Sequence, residues 1–69
     1  MGMVKETLFD VEQELVKSGL FSENQAQFVV WQQATKDEKV GNLVTKIGRA
    51  ILIGRPTTLL IKLLKIECE

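Results

Sequence analysis

The side chains of this sequence that could carry acid–base, nucleophilic or metal chemistry are few. The chain contains no histidine and no tyrosine, and its one cysteine is Cys68. Cys68 stands between Glu67 and Glu69, and neighbouring negative charge raises the pKa of a thiol and makes it a poor nucleophile. A lone cysteine without histidine builds neither an internal disulfide nor a zinc cluster. We therefore expect a protein that is not an enzyme and that holds no metal and no cofactor.

The carboxylates of the first half do not form a catalytic pair. Asp10, Glu12 and Glu14 alternate along the chain, so only Asp10 and Glu14 share a helix face, and such a face is normally solvated. The sequence also contains no phosphate-binding glycine loop, dinucleotide fingerprint or calcium loop. These observations favour a non-catalytic function.

A polar row in the second half is of the kind that reads nucleic acid. Asn42, Thr45, Lys46 and Arg49 follow the spacing i, i+3, i+4, i+7, so they share one face of a helix. Together they offer the amide, hydroxyl and basic groups of a major-groove helix, and residues 35–53 would be the reader of a helix-turn-helix. The net charge of zero and the sequence pI of about 6.2 count against this function. DNA binding is therefore the alternative function.

Charge is distributed unevenly along the chain. Residues 1–38 carry three basic and seven acidic side chains, whereas residues 39–69 carry six basic and two acidic ones, so the halves have net charges of −4 and +4. Such a chain can pair its own halves, pair with a copy of itself, or present a basic face to a polyanion. Pairing within or between copies is the favoured interpretation.

Apolar spacing predicts a first helix over residues 4–18. Its apolar stripe recurs at intervals of four, three and four residues, and Gly19 follows in the position of a left-handed cap. The stripe consists of Val4, Leu8, Val11 and Leu15. Ser22 and Gln25 then match a capping box, which predicts the start of a second helix.

The second predicted helix runs from about Glu23 to Ala34 and has two different apolar faces. One face carries small residues, and Phe28 and Trp31 lie on the opposite side. Either both faces are core of a small bundle, or the two aromatic side chains form a hot spot for a partner. Phe28 and Trp31 are our prediction for the site of a heterologous protein partner.

The third predicted helix, residues 35–53, begins at a second capping-box pattern, Thr35 to Glu38. No glycine or proline separates it from the second helix, so one continuous helix is the alternative. Gly41 and Gly48 share a flank of it, which suggests close approach of another backbone. Gly54, Arg55 and Pro56 form the strongest break in the chain.

The last predicted element, residues 57–66, is apolar around most of its circumference. Leucine and lysine favour a helix, and a covered central strand is the alternative. A helix on the surface of a monomer needs only a narrow apolar face, so we expect a second copy to cover the remainder. The residues predicted for self-association are Leu59, Leu60, Leu63, Leu64 and Ile66. Binding to a membrane surface, with Lys62 and Lys65 reaching the headgroups, is the second alternative.

The length of 69 residues predicts one small helical domain, residues 1–69, with marginal stability of its own. The predicted fold is an all-α bundle of three to four helices that oligomerisation completes. The predicted function is that of a non-catalytic protein–protein interaction module, homo-oligomeric with a dimer favoured, which also binds a larger protein partner. The amino terminus lacks an apolar signal core, and no stretch of about 20 residues is free of charge, so we expect a cytoplasmic protein without a transmembrane helix.

Overall fold

The computed structural model describes residues 5–68, and in this range it contains helices and no strand. Helix α1 spans Lys5–Lys17, α2 Glu23–Phe28, a π-helical turn Val29–Gln33, α3 Ala34–Lys36, α4 Glu38–Leu52 and α5 Thr58–Cys68. Segments α2, the π-helical turn and α3 follow one another without a break, so residues 23–36 form one helical rod. The predicted small all-α bundle is confirmed, and the last element is a helix. Val4, predicted in the first apolar stripe, lies outside the described residues.

The turn between α1 and α2 has the predicted local chemistry. Gly19 has a φ of +78°, a left-handed conformation that costs a residue with a Cβ about 1–2 kcal/mol. At the start of α2, Gln25 N–H donates to the Ser22 hydroxyl at 3.2 Å, and Ser22 N–H donates to the Gln25 side-chain oxygen at 3.1 Å. This reciprocal pair is the predicted capping box.

The π-helical turn inserts one extra residue into the rod. The Ala34 N–H donates to the Val29 carbonyl, five residues earlier. A turn that is one residue longer than an α-turn shifts the helix face, and the consecutive residues Val29 and Val30 are both buried. Sequence spacing did not predict this turn.

The rod ends at Asp37, so the second and third predicted helices are separate. Asp37 has extended backbone, and its side chain accepts hydrogen bonds from the N–H groups of Lys39, at 3.0 Å, and Val40, at 3.4 Å. Asp37 is therefore the N-cap of α4. The predicted cap at Thr35 is wrong, because the Thr35 hydroxyl donates to the Gln32 carbonyl of the preceding turn at 2.7 Å.

Helix α4 packs close to the end of the rod at Gly41. A Cβ built on Gly41 would lie 2.6 Å from the Ala34 carbonyl oxygen, closer than two such atoms approach in folded proteins. Gly48, one heptad further along, is buried. The close backbone approach expected from these glycines is therefore present at Gly41.

The link between α4 and α5 is a Schellman turn at the predicted break. Gly54 has a φ of +74°, its N–H donates to the Ile51 carbonyl, and the Arg55 N–H donates to the Ala50 carbonyl. These two hydrogen bonds satisfy carbonyls that the helix end leaves open. Helix α5 then folds back against α4.

The core lies where α1, the rod, α4 and α5 meet. Its fully enclosed side chains come from every helix of the bundle: Val11, Leu15, Ala26, Val40, Ile47 and Leu64 are 0% exposed. Within residues 5–68, no helix combines the length and the apolar character that a membrane span requires.

Candidate functional site

Helix α5 presents an apolar stripe to the outside of the bundle. Leu59 is 70% exposed, Leu63 42% and Ile66 67%. These three residues, spaced by four and three, share one helix face, and we call them the α5 stripe. The opposite face carries Ile61 and Leu64, which are buried. Helix α5 therefore has apolar side chains on two faces, of which the bundle covers one.

Two of the five residues predicted for self-association, Leu60 and Leu64, are more buried than the sequence suggested. Leu64 is 0% exposed and lies in the core of its own chain, so it is not accessible to a partner. Leu60 is partly buried against the same core. The periodicity of α5 alone did not distinguish the residues that face the core from those that face outward, because both sets consist of leucine and isoleucine.

Charged residues flank the α5 stripe. In a heptad pattern, Leu59 and Ile66 take d positions, Leu63 takes a, Lys62 takes g and Glu67 takes e. Lys62 and Glu67 are both exposed. The stripe therefore has a cation on one edge and a carboxylate on the other.

The aromatic side chains predicted for a partner, Phe28 and Trp31, are both exposed, and the structure adds a third ring beside them. Phe9 on α1 is 54% exposed, Phe28 50% and Trp31 40%. Phe9 was not predicted from the sequence as a site residue. Its position outside the predicted apolar stripe of its helix could have indicated that it is exposed. The rings line one open groove between α1 and the rod, of about 420 Å³. We call it the aromatic groove, and among the described residues its lining consists of Phe9, Glu12, Asn24, Gln27, Phe28, Trp31 and Gln32.

A buried carboxylate lies in this groove. Glu12 is only 4% exposed, and its Oε1 accepts a hydrogen bond of 3.0 Å from the indole Nε1–H of Trp31. A buried polar group requires such a partner, because leaving it unpaired costs about 1–3 kcal/mol. The bond joins α1 to the π-helical turn and fixes the position of the Trp31 ring.

Of the four side chains predicted to contact nucleic acid, three are exposed and one is hydrogen-bonded within its own helix. Asn42, Lys46 and Arg49 are exposed, whereas the Thr45 hydroxyl donates to the Gly41 carbonyl of its own helix at 2.9 Å. Lys46 and Arg49 meet Arg55 at a groove of about 350 Å³ with an apolar floor. We call it the basic groove, and Ala50, Ile53, Pro56 and Leu60 complete its lining.

Cys68 lies at the end of α5, beside the rod. Burial is the main cause that raises the pKa of its thiol, the nearby Lys65 ammonium opposes the shift, and the Asp37 and Glu67 carboxylates add to it. The Lys65 Nζ lies 5.1 Å from the centre of the Phe21 ring, a cation–π contact. Among the described residues, no three histidine, cysteine or carboxylate side chains are grouped so that they could hold a metal ion.

Comparison with models of protein families, with curated proteins and with solved structures finds no match for this chain. Three surface features of the described residues bear on function: the α5 stripe, the aromatic groove and the basic groove.

Proposed function

We propose that this chain is a non-catalytic protein interaction module that pairs with a second copy of itself through the α5 stripe. The observation that carries the proposal is the exposure of Leu59, Leu63 and Ile66 on a helix whose other face is already in the core. Complete burial of a leucine or isoleucine side chain stabilises by about 1.5–3 kcal/mol. Because the three side chains are 42–70% exposed, covering the stripe contributes about 3–5 kcal/mol per copy.

The charges beside the stripe favour a second copy in parallel orientation as the occupant. In a parallel pair of helices, a g residue lies opposite the following e residue of the partner, five positions further along. Lys62 and Glu67 have this spacing, so each copy would bring its cation to the other copy's carboxylate. An antiparallel pair would bring each edge of the stripe against the same edge of its copy, and like charges would meet. The stripe is thus self-complementary in one orientation, as a two-fold interface requires.

The direct test is the molar mass in solution, measured by light scattering across a hundredfold dilution at physiological salt. We expect the mass of two chains at high concentration and dissociation on dilution, because a stripe of three side chains is a small interface. A monomer at every concentration would contradict the proposal. Binding of such a monomer to anionic vesicles would then support the membrane-surface alternative.

The basic groove supports a second candidate function, the binding of an anionic partner such as DNA. The supporting observation is that Lys46, Arg49 and Arg55, from the end of α4 and the turn after it, line the same groove. Cations that neutralise phosphates give binding that weakens steeply with salt. Replacing Lys46 and Arg49 by alanine should abolish salt-sensitive binding of duplex DNA while the molar mass stays unchanged. DNA binding that is indifferent to this change would exclude α4 as the reader.

A further inference from the structure

The aromatic groove has the composition of a site for a positively charged group. Of the described residues that line it, three are aromatic, three carry side-chain amides and one, Glu12, is charged. The face of an aromatic ring attracts cations, and the attraction grows when the cation is shielded from water. The aromatic rings and the carboxylate therefore favour the same kind of ligand.

Glu12 is held so that one carboxylate oxygen remains to bind a ligand. Trp31 donates to Oε1, and among the described residues Oε2 has no hydrogen-bond donor. No fully buried side-chain nitrogen or oxygen atom of the described residues lacks a hydrogen-bond partner. Glu12 is 4% exposed and lines the open groove, so its carboxylate is a poorly solvated anion beside the rings. It would gain a strong interaction from an incoming cation, because the local dielectric is low.

We propose that the aromatic groove binds the ammonium group of a lysine side chain presented by a partner protein. An ammonium group needs only one carboxylate oxygen, and its remaining N–H groups can donate to the amide oxygens of Asn24, Gln27 and Gln32 at the rim. A guanidinium binds best through two parallel hydrogen bonds to both oxygens of a carboxylate, and here Trp31 occupies one of them. The aliphatic stem of lysine would pack against Phe9 and Phe28.

The site is independent of the self-association proposed above. None of the α5 stripe residues lines the groove, so a second copy and a lysine-bearing partner would occupy different faces. The groove is open, and its rings are 40–54% exposed. A protein segment can cover these rings, whereas a free small amine cannot.

Trp31 is a built-in reporter for the test. It is the only tryptophan, and the chain has no tyrosine, so the fluorescence and the single indole N–H resonance both report on the groove. The full chain is titrated with a blocked Gly-Lys-Gly tripeptide, and in parallel with its norleucine and arginine counterparts. Norleucine has a similar stem without the charge.

We expect a saturable shift of the indole resonance with the lysine peptide, a weaker response to arginine and none with norleucine. Equal responses to lysine and norleucine, or no saturable response to lysine, would overturn the proposal. The same titration on a chain whose α5 stripe has been disrupted separates the two proposals, because lysine binding should persist in the monomer.

Two variants test the roles of the carboxylate and the rings. Glu12→Gln retains an oxygen that accepts the indole hydrogen bond but removes the charge, and it should weaken lysine binding about tenfold or more, since a hydrogen bond to a charged group is worth at least about one decade of affinity. Phe9→Leu keeps an apolar side chain at an exposed position and removes one ring, so it should weaken binding several-fold. If Glu12→Gln does not fold, Phe9→Leu still decides the matter: unchanged lysine affinity in a folded Phe9→Leu chain would refute the aromatic site.

Discussion

Replacing Leu59 and Ile66 by glutamate should convert the proposed dimer into a monomer without unfolding the chain. The two side chains are 70% and 67% exposed, so covering each contributes about two-thirds of the 1.5–3 kcal/mol of complete burial. Because each copy loses both contacts, the dimer is destabilised by about 4–8 kcal/mol. This loss corresponds to a dissociation constant that is about a thousandfold higher or more. Glutamates facing each other across a two-fold axis would add repulsion. The free energy of unfolding of the monomer should change by only about 0.5 kcal/mol, as is usual for surface substitutions.

The assay is sedimentation equilibrium at several protein concentrations, with the thermal midpoint of each variant recorded by circular dichroism. Leu52→Glu is the matched control. Leu52 is 69% exposed and lies on α4, outside the stripe, and the substitution again replaces an apolar side chain by glutamate. We expect the control to dimerise as the parent chain does. The reasoning is refuted if the double variant keeps the parent's molar mass at concentrations where the parent is dimeric, or if Leu52→Glu dissociates the dimer equally well.

Three further predictions concern orientation, packing and the thiol. Lys62→Glu and Glu67→Lys should each weaken the dimer, and the double exchange should restore it, with a coupling of about 0.2–1 kcal/mol; simple additivity in sedimentation equilibrium would contradict a parallel pair. Gly41→Ala should destabilise the fold, because its Cβ would meet the Ala34 carbonyl oxygen at 2.6 Å, and overpacking of about 1–3 kcal/mol outweighs the gain of about 1 kcal/mol in helix propensity. A thermal midpoint equal to or above that of the parent would disprove this steric argument. Burial raises the pKa of the Cys68 thiol, so at a given alkaline pH less thiolate is present, and iodoacetamide should react more slowly than with the urea-unfolded chain; a rate–pH profile that coincides with the unfolded one would rule this out.

Local sequence signals predicted most of the secondary structure correctly, because each depends on residues that are close along the chain. The capping box of Ser22 and Gln25 and the left-handed glycines at 19 and 54 are properties of single turns. Where two local signals competed, the prediction was less accurate. Thr35 and Asp37 are both cap residues by type, and the structure uses Asp37 because its carboxylate accepts from two backbone N–H groups of α4.

The candidate sites were less predictable, because they combine residues from different helices. The sequence separated Phe28 and Trp31 from the core face of their helix, but it did not connect them to Phe9 and Glu12, which are at least 16 positions away. The hydrogen bond between Glu12 and Trp31 exists only because the π-helical turn and α1 pack together. In the same way, Arg55 joins Lys46 and Arg49 only through the turn after α4.

The sequence by itself determined that this protein is helical and where most of its helices begin and end. It also determined that the last helix has more apolar surface than one neighbouring helix can cover. These features follow from the 3.6-residue period and from the conformations that individual residues prefer. Only the tertiary structure decided which apolar residues of α5 are used inside the chain. Leu64 and Ile61 face the core, whereas Leu59, Leu63 and Ile66 face outward, because the Schellman turn and the packing of α5 against α4 fix the rotation of that helix.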